Sequence, residues 1–446
     1  MFKKILIANR GEVAVRVIRA CRDMGIVSVA VFSEADRDSL HTYIADESVC
    51  IGPAPARQSY LLPERIVAAA VAAKADAIHP GYGFLSENAE FVDLCAKHGI
   101  VFIGPTSKAI RLLGDKAQAI LTAKSAGAPV VPGSDGLLGS VDEALAGAKK
   151  IGYPVMLKAT AGGGGKGIRL INTPEEVQSA WDNARAEALA NFGNDEVYLE
   201  KYIASPRHIE FQILADKYGN TVHLGERECS LQRRHQKVLE ESPSPFLTAE
   251  LRAKMGADAV KIAKAAGYVG AGTIEFLVGK DRNYYFMEMN PRIQVEHPVT
   301  EMVTGRDLVA EQIRVALGQP LGYTQEDIIM EGHAIECRVC AESPERGFAP
   351  CPGEIRSLNV PGGPGVRVDT AVYQGYRVPP YYDSLLAKLI VHGHSRDQAI
   401  IRMKRAMAEF LVEGVETTCD FHLGLLSHPG FVAGDYGVDT LDNMLK

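Results

Sequence analysis

The stretch Glu275-Phe-Leu-Val-Gly-Lys-Asp-Arg-Asn-Tyr-Tyr-Phe-Met-Glu-Met-Asn-Pro-Arg-Ile-Gln-Val-Glu-His297 sets two strand-like runs on either side of a turn. Thr273 to Val278 forms the first run, residues 279–283 the turn, and Tyr284 to Asn290 the return of a hairpin. Side chains alternate along extended chain, so Glu288, Asn290, Arg292, Gln294 and Glu296 project to one face and Met287, Met289, Ile293 and Val295 to the other. One edge therefore reads acid, amide, cation, amide, acid. Glu275 on the partner strand can approach Glu288, and two carboxylates with an amide oxygen suit Mg2+ beside a phosphate. An arginine just beyond them can hold an anion. The bland alternative is a solvated strand edge with incidental charge pairs; the sorting of ligand-like and anion-binding groups in order argues against it. A straight strand would spread Glu288 and Glu296 over roughly 26 Å, so convergence on one reaction centre requires a bend near Pro291.

Upstream, strand Val155 to Ala159 carries Lys158 and runs into the loop Thr160-Ala-Gly-Gly-Gly-Gly-Lys-Gly167, followed by strand Ile168 to Ile171. A Walker A loop needs glycine at 160, serine or threonine at 167, and a helix afterwards; none is present. The segment reads as a strand-loop-strand flap whose backbone N–H groups can wrap phosphate oxygens, with Lys158 and Lys166 supplying charge. Helices 141–151 and 174–190 flank it, strand Val197 to Ile203 follows, and the Pro- and Gly-rich residues 127–139 look like a linker. Ahead of the linker, a helix over 106–126 carries Asp115 and Lys116. After strands His208 to Ala215 and Thr221 to Glu226, the run Gln232-Arg-Arg-His-Gln-Lys237 is either a surface charge run or, beside Glu240 and Glu241, an anion pocket.

The chain opens as strand, turn and helix, Ile5 to Ala8, then Asn9-Arg-Gly-Glu12, then an amphipathic segment closed by Gly25. Strands Val27 to Phe32, Ser48 to Ile51, Asp76 to Ile78 and Val101 to Gly104 alternate with helices 60–74 and 87–98, which predicts a parallel sheet wrapped by helices. The first turn lacks G-x-G-x-x-G, so a Rossmann-like frame without its dinucleotide is the reading. His79-Pro-Gly-Tyr-Gly-Phe-Leu-Ser-Glu-Asn88 brings backbone close to the strand ends or simply caps the next helix. From about 330 the pattern changes to a third, α+β region with an alternating strand bearing Glu336 and Arg338, a strand Lys388 to His392 and a helix 395–410.

Composition bounds the rest. At 446 residues, two to three domains are expected. A net charge of −7 gives no electrostatic footprint for nucleic acid, and the longest apolar stretch, Ile66 to Ala73, is far too short for a membrane span. Met1 to Arg10 reads as a first strand rather than a signal peptide. Eight scattered cysteines suggest a reducing cytoplasm. Cys337 and Cys340 lie on opposite faces of one strand, which speaks against zinc or redox use.

Taken together, Ala8-Asn-Arg-Gly-Glu12, the 79–88 segment, Gly114-Asp-Lys116, Lys158 with the glycine loop, the 232–237 run and Glu288-Met-Asn-Pro-Arg-Ile-Gln-Val-Glu-His297 resemble the biotin carboxylases of the ATP-grasp superfamily, nearly end to end. The resemblance implies α/β and α+β architecture in three parts. These are a Rossmann-like domain over 1–113, an ATP-grasp domain over 114–329 with a mobile flap at about 130–203, and a C-terminal biotin carboxylase domain over 330–446. It implies ATP-dependent activation of bicarbonate to carboxyphosphate, breakdown to CO2 and phosphate, and carboxylation of biotin at N1′. Lys116, Lys158, Gly164, Gly165 and His208 then look like phosphate contacts, Glu200, Lys201, Tyr202 and Ile203 like the adenine hinge, and Gln232 and His235 like neighbours of the ribose. Glu275, Glu288 and Asn290 resemble ligands of Mg2+ or Mn2+. Lys237, Arg292, Gln294 and the Val295 backbone are placed like a bicarbonate site, Glu296 like its base, and Arg338 and Tyr82 like the biotin pocket. Carboxylases that carry their own biotin have a Met-Lys-Met type attachment site; the nearest sequence here is Arg402-Met-Lys-Arg405 in a helix, so biotin is expected on a separate biotin carboxyl carrier protein, or free. A carboxyltransferase component and a homodimer are also implied. Acetyl-CoA, propionyl-CoA, pyruvate and urea carboxylases share this component. The rivals are another ATP-grasp ligase, against which Arg338 and the 232–237 run speak, and a nucleotide-binding scaffold, which would predict damage at Glu275, Glu288, Arg292 or Glu296.

Overall fold

The computed structural model describes residues 2–134, 136–159, 168–192 and 194–445. Gly164 and Gly165 of the glycine loop lie outside the described residues. The chain divides into two compact units, one of residues 1–128, 207–277 and 288–446, the other of residues 129–206 and 278–287.

In the larger unit, Lys4–Ile7, Val27–Ser33, Glu47–Gly52, Ala77–His79 and Val101–Phe102 form a five-stranded parallel sheet in the order third, second, first, fourth, fifth. The order reverses between the first and fourth strands, the switch point at which a doubly wound sheet binds ligands. Here the Asn9 side chain spans that crevice, its Nδ2 donating to the carbonyls of Pro80 at 2.8 Å and Tyr82 at 2.7 Å. Gly81 makes this possible: at φ +63° an added Cβ would lie 2.8 Å from Asn9 Nδ2. Asn88 caps the helix Ala89–Lys97 by accepting from Phe91 N at 2.8 Å.

The second sheet has eight strands, in the order Tyr284–Asn290, Gly270–Val278, Arg207–Ala215, Thr221–Arg233, Gln236–Ser242, His333–Cys340, Leu385–Gly393, Val366–Thr370, of which Val278 and residues 284–287 are counted with the smaller unit. It joins Gln236–Ser242 directly to His333–Cys340. Glu240 pairs with Glu336, and Arg338 with Lys388, in antiparallel register. The helix Gly11–Asp23 and residues Leu214, Ala271, Ile293, Leu308 and Ile313 share one apolar core.

Four expectations change. The helix expected over 106–126 is two, Ser107–Gly114 and Lys116–Ser125, because Asp115 leaves the helical conformation and its carboxylate accepts from Gln118 N at 3.0 Å. The expected linker is tied down, with Ser134 N, Leu138 N and Lys201 N bonding to Leu199 O, Val197 O and Pro132 O. The basic run is mostly a hairpin tip: Arg234 and His235 turn at positive φ, and Arg233 stacks on Phe348 at 4.1 Å and donates to Gly347 O. Finally, the strand beginning at Tyr284 stops at Asn290 as expected, but the alternation read onward to Glu296 does not continue past Pro291: the chain bends there, as convergence required, and Glu296 takes the N-cap position of the helix His297–Thr304.

In the smaller unit, Ile168–Ile171, Val155–Ala159 and Val197–Lys201 form a three-stranded sheet. Helices Val141–Ile151 and Val177–Phe192 contribute Ala144, Ala148, Trp181, Ala184 and Ala188 to its core. The strand-loop-strand reading of the flap holds at both of its strands.

Candidate active site

On the eight-stranded sheet, residues two apart share a face, and several buried strands carry polar groups at that period. Arg207–Ala215 offers His208, Glu210 and Gln212, and His333–Cys340 offers Glu336 and Arg338. At the centre stands Lys237, at the foot of the hairpin tip. Its ammonium lies 2.5 Å from Glu210, 3.2 Å from Glu275 and 2.7 Å from Glu296. Glu296 is shared: Arg338 Nη2 reaches its other oxygen at 2.9 Å, while Arg338 Nε holds Glu240 at 2.7 Å. Burial works against the charge on Glu296, but Lys237, Arg338 and Arg227 outweigh it and hold this carboxyl well below the usual carboxylate range.

Glu275 is equally engaged. It accepts from Asn290 Nδ2 at 2.8 Å and Gln294 Nε2 at 2.9 Å, and His208 Nε2 lies 2.9 Å from its second oxygen. Burial opposes its charge, and Lys237 and His208 keep it ionised. Glu288 behaves oppositely, pushed up by burial and by the charge of Glu275, with Lys116 acting in the other direction. Mutual repulsion between Glu275 and Glu288, with Asn290 beside them, is what a divalent cation would relieve, so the oxygen donors fit Mg2+. Arg292 pairs with Glu87 at 3.1 Å and donates to Asn290 Oδ1 at 3.2 Å. Gln294 is buried, its Oε1 taking a bond from Arg227 at 3.3 Å.

The remaining expected residues fall as follows. Gln232 donates to His208 Nδ1 at 2.7 Å and so orients that imidazole, whereas His235 sits exposed on the hairpin tip. The Tyr82 hydroxyl bonds Glu12, and the charges of Arg338 and Glu336 reach it. The Val295 carbonyl accepts from Lys388 Nζ at 3.0 Å. In the smaller unit Lys158 pairs with Glu200, the Lys201 ammonium is occupied by the carbonyls of Gly152 and Tyr153, and Tyr202 N bonds Pro154 O; Ile203 follows half-buried.

Sequence reasoning passed over Glu210, Arg227, Glu87, Glu12 and Lys388. Arg227 is fully buried, bonding Glu210 at 2.5 Å, Gln212 at 2.7 Å and Thr300 at 3.0 Å. The available sign was the polar period of two inside buried strands. Chemically, the cluster offers an ionised, desolvated carboxylate between two cations, an arginine divided between that carboxylate and Glu240, and an oxygen-rich cation position nearby.

The comparisons with known proteins agree along the whole chain. Residues 1–110 match the family description "Biotin carboxylase, N-terminal domain", residues 115–324 "Carbamoyl-phosphate synthase L chain, ATP binding domain", and residues 336–443 "Biotin carboxylase C-terminal domain". The chain is 58% identical to Biotin carboxylase 1 of Bacillus subtilis over 443 residues, covering 99% of this chain and 98% of that protein. Against the biotin carboxylase of a Nostoc species it is 57% identical, with 100% of each covered. A crystal structure of the biotin carboxylase domain dimer of Hydrogenobacter thermophilus 2-oxoglutarate carboxylase, in complex with MgADP, ADP and bicarbonate, superposes with a TM-score of 0.89 at 52% identity, covering 99% of this chain and 98% of that one. The chain belongs to the biotin carboxylase family.

Proposed function

We propose that Glu296, Lys237, Arg292 and Arg338 carry the ATP- and bicarbonate-dependent carboxylation of biotin at N1′, the first half-reaction of a biotin-dependent carboxylase. The observation that carries this reading is the position of Glu296, fully buried and bonded to Lys237 on one oxygen and Arg338 on the other. Bicarbonate is a poor nucleophile. Arg292, Lys237, Gln294 and the Val295 backbone orient it, and Glu296 takes its proton as it attacks the γ-phosphate of ATP, giving carboxyphosphate and ADP. Carboxyphosphate breaks down to CO2 and phosphate; the released phosphate takes the N1′ proton, and N1′ attacks CO2 to give carboxybiotin.

Arg338 links the two stages. When it turns from Glu296 to the ureido oxygen of biotin, it stabilises the enolate-like charge there. Glu296 then loses one of the cations holding it ionised, and its proton affinity rises. Glu275, Glu288 and Asn290 would hold Mg2+, which when bound neutralises charge on the phosphates. Lys116, Lys158, Gly164, Gly165 and His208 hold the phosphates, residues 200–203 the adenine, and Gln232 and His235 border the ribose; Tyr82 lines the biotin pocket. We assign residues 1–113, 114–329 with a flap at about 130–203, and 330–446 as functional parts.

Biotin arrives on a separate carrier protein, a carboxyltransferase uses the product, and the chain works as a homodimer in the cytoplasm. Lys404 is internal to the helix Arg396–Glu409, which supports biotin arriving from elsewhere. Among the described residues no helix is long and apolar enough to cross a membrane. The test is ATP hydrolysis that depends on bicarbonate and is stimulated by free biotin; hydrolysis indifferent to biotin would overturn the reading.

A further inference from the structure

Lys388 lies in the apolar strand Leu385–Gly393 and is 0% exposed. Burying an ammonium is costly unless its hydrogens find strong acceptors. Its Nζ donates to Val295 O at 3.0 Å, stands 3.1 Å from Glu12 Oε2, and lies 3.9 Å from Asp369. Across the strands it is the register partner of Arg338 on one side and Asp369 on the other. It therefore shares a face with Arg338. The groups around it are Glu12, Asp369, Glu336, Arg338 and His297.

We propose that Lys388 is a positioning residue that couples the bicarbonate turn to the biotin pocket, an inference resting on the biotin-carboxylation reading above. At one end it pins the Val295 carbonyl. A peptide unit is planar, so fixing that carbonyl also fixes the Glu296 N–H on the opposite side and the Cα from which the Glu296 side chain departs. The bond is charge-assisted and out of water, so it holds the plane more firmly than a neutral donor would. At the other end, Glu12 takes the ammonium on Oε2 and the Tyr82 hydroxyl on Oε1. A single buried cation thus sets the turn that carries Gln294, Val295 and Glu296 and the tyrosine that lines the biotin pocket. Lys388 touches no substrate in this scheme and acts through Val295 and Glu12.

The experiment is steady-state kinetics of the full chain, with KM for ATP, bicarbonate and free biotin measured separately for Lys388→Met and Glu12→Gln. Loss of a charge-assisted bond predicts a rise of roughly 10- to 100-fold in the bicarbonate KM of Lys388→Met, together with weaker stimulation by biotin. Glu12→Gln should weaken biotin stimulation and leave the bicarbonate KM within about twofold, because Lys388 keeps Val295. The KM for ATP should stay within about twofold in both. Wild-type chain lacking biotin-stimulated, bicarbonate-dependent hydrolysis would sink the functional reading itself. With that activity present, a folded Lys388→Met whose bicarbonate KM is unchanged, or whose three KM values rise together, overturns only the role of Lys388. If Lys388→Met does not fold, Lys388→Met/Glu12→Gln removes both buried charges and is judged by the same criteria. Its failure to fold would make Lys388 a structural group and overturn the proposal too.

Discussion

Glu240 and Glu241 are neighbours on one strand, both fully buried, and they point to opposite faces of the eight-stranded sheet. Burial raises both, yet they end far apart. Around Glu241 the opposition wins: His333 at 2.5 Å, Arg396 at 2.7 and 3.0 Å, and the Tyr436 hydroxyl saturate its oxygens, and it is held down at about 2. On the other face burial prevails over Arg338, Glu296 adds its own charge, and Glu240 is pushed up to about 7. Among the described residues its Oε2 and both carboxyl oxygens of Glu336 have no hydrogen-bond partner. The contrast separates a saturated ion network from an unsaturated one. The first is closed, each acid matched by donors; the second is open, with more carboxylates than the cations can satisfy and one arginine divided between two of them.

The strongest way to break the comparison is to neutralise the shared acid on the open face. Glu296→Gln keeps shape and removes the carboxylate proposed as the base, and turnover should fall by about 10²- to 10⁴-fold. The KM for ATP should hold and thermal unfolding should move little, since Lys237 keeps Glu210 and Glu275 and Arg338 keeps Glu240. Biotin-stimulated hydrolysis at near wild-type rate would show that the open face is not the reaction centre.

Stability against pH sharpens the same contrast, because the two neighbours have opposite signs. Glu241 is depressed in the folded chain, so its contribution is full above an ordinary carboxylate pKa of about 4.5 and is lost as pH falls towards 2. Glu240 is raised, so between about 4.5 and 7 the folded chain holds a proton that the unfolded chain has released, and stability declines as pH rises through that window. Unfolding free energies from urea titrations across pH should therefore lose part of their acid limb in Glu241→Gln and flatten between 4.5 and 7 in Glu240→Gln, each by about 3 kcal/mol. Two variants altering the same limb would show that the faces are not electrically distinct.

Much of this frame was legible in the sequence, because what fixes it is local. The five strands of the parallel sheet, the hairpin ending at Asn290 and the helix Val141–Ile151 follow from period, turn residues and caps within a few positions. What escaped depends on partners far along the chain. The pairing of His333–Cys340 with Gln236–Ser242 could not be read, because nothing local to either strand points to the other. The basic run left a surface charge run and an anion pocket both open, and it is the turn at Arg234 and His235 that divides it, sending Arg233 to Phe348 and leaving Lys237 to face the acids. Lys388 reads as an odd charge in an apolar strand until Val295 and Glu12 are brought to it.

The smallest effect is expected at a residue on neither face. Asp115 ends one helix and caps the next, holding Lys116 at its first position. Asp115→Ala removes the bond to the Gln118 N–H and should cost about 0.5 to 2 kcal/mol by urea unfolding. Asp115→Asn, also a good cap, should recover most of it. Because Lys116 is read as a phosphate contact, the ATP KM should rise a few-fold in the alanine variant while the bicarbonate KM and both pH limbs stay as in wild type. Were Asp115→Ala to alter the limb assigned to Glu240, the charge of Lys116 would reach past Glu288 into the open face. The pKa of about 7 would then belong to a wider network than Arg338, Glu296 and Glu336.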